Sequence, residues 1–128
     1  MKPRFSASIA LGAILLAGSA WAHHNNTRFD PDKRITVTGT LTMLDWRNPH
    51  VYLYMDAKSD RGQVDTWSLE CQPPNFFATR KISKADFEKA IGQTVAAQVS
   101  PARDGSPNGV LWTITLPDGR VVAAKGGA

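Results

Sequence analysis

The chain is poor in several things at once. It has one cysteine, Cys71, among 128 residues, so no internal disulfide forms and the fold must be held by its core. Basic residues exceed acidic ones by only 15 to 11, and no basic cluster sits on any one element. Nucleic acid is therefore a poor partner. No apolar run reaches the about 20 residues of a spanning helix. Asp30, Asp32 and Asp45 lack the spacing and the glycine of a calcium loop, and Gly105 and Gly119 belong to turns rather than a phosphate cradle. There is no repeat and no low-complexity segment. Histidine is scarce as well. Only His23, His24 and His50 occur, so chemistry that needs imidazole is confined to two places.

What is present begins with an export signal. Lys2 and Arg4 precede an apolar stretch from Ile9 to Ala17, and Ala20-Trp21-Ala22 sets small residues at a cleavage site. We expect residues 1–22 to be a removed signal peptide, which places the product in the periplasm. Cleavage after Ala22 leaves 106 residues beginning His23-His24 and lowers the formal charge from +4 to +2. Cleavage after Ala20 is the alternative. Residues 23–33 are polar, contain Pro31 and read as an N-terminal arm.

From residue 34 the chain alternates. Ile35, Val37, Leu41 and Met43 share one face with Gly39, and threonines 36, 38, 40 and 42 share the other. Period two with β-branched residues predicts a half-buried strand over 34–46. The inward glycine marks a bend or bulge. Trp46 falls on the threonine face and is exposed unless a bulge turns it. Asn48-Pro49 breaks the run. A second strand, 50–57, puts Val51, Leu53 and Met55 on one face and His50, Tyr52 and Tyr54 on the other. Ser59-Asp60-Arg61-Gly62 turns it into a third strand, 64–71, with Trp67, Leu69 and Cys71 inward. This pairing sets His50 opposite Glu70 to Gln72.

After Pro73-Pro74, residues 75–81 form a helical turn or two. Ser83 then caps a helix over 84–91, with Asp86 completing a capping box, Phe87 and Ile91 facing the sheet, and Gly92 ending it. Strands follow over 94–100, 109–116 (Val110, Trp112, Ile114 and Leu116 inward) and 121–123, and residues 125–128 form a flexible tail. Three strands, a helical segment and two or three more strands match the OB-fold order. We therefore expect a mainly β, OB-like barrel of five to six strands over residues 34–124, with one or two short helices between strands 3 and 4. An open α+β sheet is the alternative.

Several segments carry a resemblance: Ala22-His23-His24, Phe29-Asp30, Thr38-Gly39-Thr40, Asp45-Trp46-Arg47-Asn48-Pro49-His50, Trp67-Ser68-Leu69-Glu70 and Leu116-Pro117-Asp118-Gly119-Arg120. In this order the chain resembles a family of small exported bacterial proteins that is a domain of unknown function. The resemblance implies an envelope location and a small β-rich domain.

The leading site reading is a metal centre. A processed N-terminal histidine chelates through its amine and its ring, and His24 or His50 completes a set that suits copper or zinc. Glu70 is placed to accept the other ring N–H of His50. If cleavage follows Ala20, His23 becomes the third residue, an arrangement that binds copper(II) or nickel(II). The competing reading is a metal-free module that binds an envelope protein or saccharide through its strand 2–3 face. That face carries His50, Tyr52, Tyr54, Thr66, Ser68 and Glu70. His50 bonded to a backbone carbonyl, as a plain corner residue, is the bland reading. Cys71 is expected to be a buried small hydrophobe, and Trp46 to pack against the arm. A Cys71–His50 enzyme ranks last, because an orienting group and an oxyanion site are missing. The protein is thus expected to bind rather than catalyse.

Overall fold

Threonines alternating with apolar residues suit a pleated, half-buried surface, and Ile35–Asp45 forms it as β1. The structure is a computed structural model that describes residues 28–125; the expected signal peptide, both cleavage points and His23-His24 lie outside the described residues. After β1 come β2 (Tyr52–Lys58), β3 (Val64–Glu70), α1 (Pro74–Ala78), α2 (Lys84–Glu88), β4 (Thr94–Pro101), β5 (Asn108–Thr115) and β6 (Val121–Ala123).

β1 serves two neighbours. Ile35–Thr40 pairs with β4, and Thr40–Asp45 pairs with β2, both antiparallel. Gly39 stands at the handover, where an added Cβ would collide with the carbonyl oxygen of Asp56. Only glycine lets the two backbones approach so closely. β2 and β3 form the hairpin, β3 pairs in parallel with β5, and β5 pairs with β4. The circuit 1-2-3-5-4 closes a five-stranded barrel, with β6 added along β5. This is the OB-like architecture, and the β3–β5 seam excludes the open sheet.

Two bulges shift the alternation. Leu41 faces Met55 while Met43 faces Tyr54, so Thr42 is extra in β1. Met43 is thereby turned outward, 51% exposed, contrary to the expected inward set, and Trp46 is turned to the core. In β5, Val99 faces Leu111 and Gln98 faces Thr113, so Trp112 is the extra residue. Leu111 is therefore fully buried where Val110 and Trp112 were expected, and the even phase resumes at Ile114 and Leu116. An unpaired residue bends the strand and reverses its inward phase beyond that point.

The helices plug one end of the barrel. Phe77 of α1 and Phe87 of α2 have no exposed surface, and their rings meet edge-on at 5.4 Å. Trp46 lies 5.4 Å from Phe77 and 5.8 Å from Phe87. It packs there, and not against the arm. Ser83 caps α2 as expected, its N–H and hydroxyl both donating to Asp86 Oδ2 at 2.8 Å. The helix is shorter than expected, however. Ala90 takes the buried place and Ile91 is 40% exposed.

Candidate functional site

His50 is placed by the corner between β1 and β2. Trp46 drops inward, Arg47 stays outside with its guanidinium 2.8 Å from Asp45, and a cis Asn48–Pro49 bond turns the chain. The ladder resumes at Val51, whose N–H donates to the Gln72 carbonyl at 3.3 Å and whose carbonyl accepts from the Cys71 N–H at 2.8 Å. That register sets Tyr52 opposite Glu70 and Tyr54 opposite Ser68. His50 is one step beyond, level with Gln72 and diagonal to Glu70.

The ring has a defined orientation. His50 Nδ1 lies 2.9 Å from the Cys71 carbonyl oxygen. A carbonyl only accepts, so Nδ1 carries the proton and the neutral ring keeps its lone pair on Nε2. Glu70 Oε1 is 3.7 Å from that nitrogen. The other oxygen of Glu70 accepts a hydrogen bond from the Tyr52 hydroxyl at 3.3 Å. Burial first, and then the charge of Glu70, push the Tyr52 phenol above its ordinary range, while Arg28 pulls weakly the other way. Tyr52 is thus a neutral donor, and the Arg28 charge lies within its reach.

His50 and Glu70 border a recess of about 210 Å3 together with Phe29, Cys71, Gln72, Val110 and Lys125. The arm enters here. Phe29 bridges to Ala102, Asp30 N–H donates to Pro101 and Arg103 N–H donates to Arg28. Lys125 is drawn aside, its ammonium 4.3 Å from the centre of the Trp112 ring, on which Arg34 also stacks at 3.4 Å.

Of the residues named from sequence, His50, Glu70 and Tyr52 come together. Tyr54 lies one row away, beside exposed Met43. Trp46 is on the opposite side of the sheet, half-buried against the core. Cys71 turns its thiol inward, only 4% exposed, with Sγ 3.6 Å from the Leu69 carbonyl. Burial pushes that thiol far up. Its carbonyl, not its sulfur, reaches the site, and it takes the ring N–H for which Glu70 was expected, the bond that the plain-corner reading of His50 expected. Sequence reasoning did not place Phe29, Val110 or Lys125 here. Val110 arrives only through the parallel β3–β5 seam, and β-strand periodicity carries no signal for that. Among the described residues, no three His, Cys, Asp or Glu side chains group closely enough to hold a metal ion, and no helix is long and apolar enough to cross a membrane.

The family of unknown function DUF6152 matches residues 12–111. The chain belongs to this family. The DUF6152 match takes in the arm, His23-His24, the corner and Glu70, and it ends before Leu116–Arg120. No curated protein and no solved structure matches the chain. Membership in DUF6152 brings no assigned activity, so function has to be argued from the site.

Proposed function

We propose that the protein is exported to the periplasm, is cleaved before His23, and binds copper or zinc there through His23, His24 and His50 without catalysing a reaction. The orientation of His50 carries this reading. A metal-ligating imidazole commonly donates its second ring N–H to a carbonyl or carboxylate, which fixes the tautomer and raises the basicity of the free nitrogen. His50 does so through Nδ1, and its bare Nε2 faces a recess that the N-terminal arm borders. His24 is four residues before Arg28, a chain reach of up to about 14 Å. A free amine and an imidazole on one residue suit copper most, since the affinity order peaks there. Cleavage after Ala20 would instead give a third-position histidine, which also takes copper(II).

A second reading uses the outward β2–β3 face to bind a partner protein or saccharide. Tyr54, with Ser68 opposite it and exposed Met43 beside it, supports that reading. Tyr52 favours the first, because it is engaged with Glu70.

Copper(II) titration of processed protein tests the metal site. His50→Ala should weaken binding at least about tenfold, and Tyr54→Ala should leave it unchanged. Binding by the wild type no tighter than that of a free His-His peptide would sink the proposal. Capture of an envelope protein or saccharide that is lost on Tyr54→Ala, with the melting temperature nearly unchanged, would favour the second reading.

A further inference from the structure

We infer that the barrel end opposite the helices is a separate site for a free α-amino acid with an apolar side chain. Asp30 takes its ammonium, Arg103 takes its carboxylate, and Trp67 receives its side chain. The chain runs from Ile35 at this end, along β1, to Trp46 beneath the helices. A recess of about 290 Å3 lies at the Ile35 end, between Asp30, Lys33, Ile35, Trp67, Pro101 and Arg103. It shares no lining residue with the recess at His50. The arm divides the two, since Phe29 lines one and Asp30 the other.

The charged groups are placed by backbone bonds. Asp30 N–H donates to the Pro101 carbonyl at 2.9 Å, and Arg103 N–H donates to the Arg28 carbonyl at 3.0 Å. Arm and loop therefore lie side by side. Oδ1 of Asp30 accepts the Asp32 N–H at 3.2 Å, while Oδ2 stands 3.9 Å from Arg103 Nη1. That separation is beyond hydrogen-bond length. An exposed pair so long holds itself weakly, so each group keeps capacity for an opposite charge on a ligand. An α-amino acid carries ammonium and carboxylate on neighbouring carbons, and one molecule answers both groups at once. Lys33, exposed at the rim, adds attraction for the carboxylate.

Beneath the charges the lining is apolar. Trp67 faces inward on β3 opposite fully buried Met55, and with Ile35 it packs half-buried against the core. Pro101 is buried beside them. An aliphatic or aromatic side chain suits this floor, whereas a charged one would be stripped of water against hydrocarbon. The volume lies at the lower edge of the about 300–1,000 Å3 of ligand pockets. It suits one amino acid. A peptide also fits the charges poorly, because its termini stand farther apart than Asp30 and Arg103.

The test is calorimetric titration of processed protein with L-leucine and L-phenylalanine, alongside N-acetyl-L-leucine and L-leucinamide. Both free amino acids should bind saturably, and blocking either charge should weaken binding at least about tenfold. Asp30→Asn and Arg103→Gln should each weaken L-leucine by a similar factor. Asp30→Asn should leave the affinity for N-acetyl-L-leucine unchanged, because the ammonium it would meet is already gone; a merely structural role would move both ligands. Trp67→Leu should weaken L-phenylalanine more than L-leucine. His50→Ala should change nothing, which keeps this site independent of the metal reading. Melting of each variant without ligand shows whether it is folded. If the folded wild type binds neither amino acid saturably, the site is overturned. Equal binding of the blocked ligands, or unchanged binding by folded Asp30→Asn and Arg103→Gln, overturns the roles of the two charges.

Discussion

Asp86 shows how much one carboxylate can be asked to hold. Its Oδ2 accepts from the Ser83 N–H and hydroxyl, and its Oδ1 accepts from Arg120 Nη2 at 2.9 Å, which ties α2 to the turn before β6. The Ser83 N–H first, and then Arg120, pull the Asp86 carboxyl down to about 2. The unfolded chain protonates it near pH 3.9. Its contribution is therefore complete above that pH and disappears as pH falls through about 2. Asp86→Asn should melt lower than wild type by a constant margin from neutral pH to about pH 5, with the margin closing toward pH 2. Thermal melts across that range check it, and a margin that does not change with pH would count against the linkage. His50 and Glu70 were legible at this scale because a short turn fixes hairpin register outward from itself. Which ring nitrogen faces the carboxylate was not legible. It depends on where the Cys71 carbonyl points, and residue identities do not encode that.

At the scale of elements, periodicity located every strand of the barrel but not its interruptions. Thr42 and Trp112 are ordinary strand formers, and nothing in their side chains marks them as extra residues. Their effect is large because a one-residue slip exchanges the two faces. The bulge at Thr42 turns Met43 out and Trp46 in, and Trp46 then becomes the surface on which both short helices rest. Helices of five residues have little stability of their own, so α1 and α2 depend on that aromatic contact. Trp46→Ala should cost about 2–4 kcal/mol, somewhat below the range for a fully buried aromatic because Trp46 is half-buried. It should also weaken near-ultraviolet circular dichroism. Denaturant unfolding measures the loss. A value under about 1 kcal/mol would mean that Phe77 and Phe87 hold the helices without it.

The whole molecule is closed by its shortest seam. β1 and β4 pair through six residue pairs and β2 and β3 through seven, whereas β3 and β5 meet through three, Ser68–Asn108, Leu69–Gly109 and Glu70–Val110. The order of elements suggested a barrel, but the parallel seam joins strands about forty residues apart, and no local pattern announces it. Gly109 serves the neighbouring β4–β5 pairing instead, since a Cβ there would run into Val99 and the Ser100 carbonyl of β4. A seam so short is the natural first point of local opening, and Glu70 ends it. Metal held by His50 under the proposed function, with the ring fixed by the Cys71 carbonyl one residue past that end, would then require the closed seam. At a hundredfold excess over its dissociation constant, a ligand that binds only the closed form stabilises it by about 2.7 kcal/mol. Amide exchange of residues 68–70 and 108–110, followed by mass spectrometry with and without copper, should slow by up to about a hundredfold. Exchange along β1–β4 should change little. Equal slowing everywhere would show that the barrel opens only as a whole, and no slowing at the seam would separate the metal from its closure.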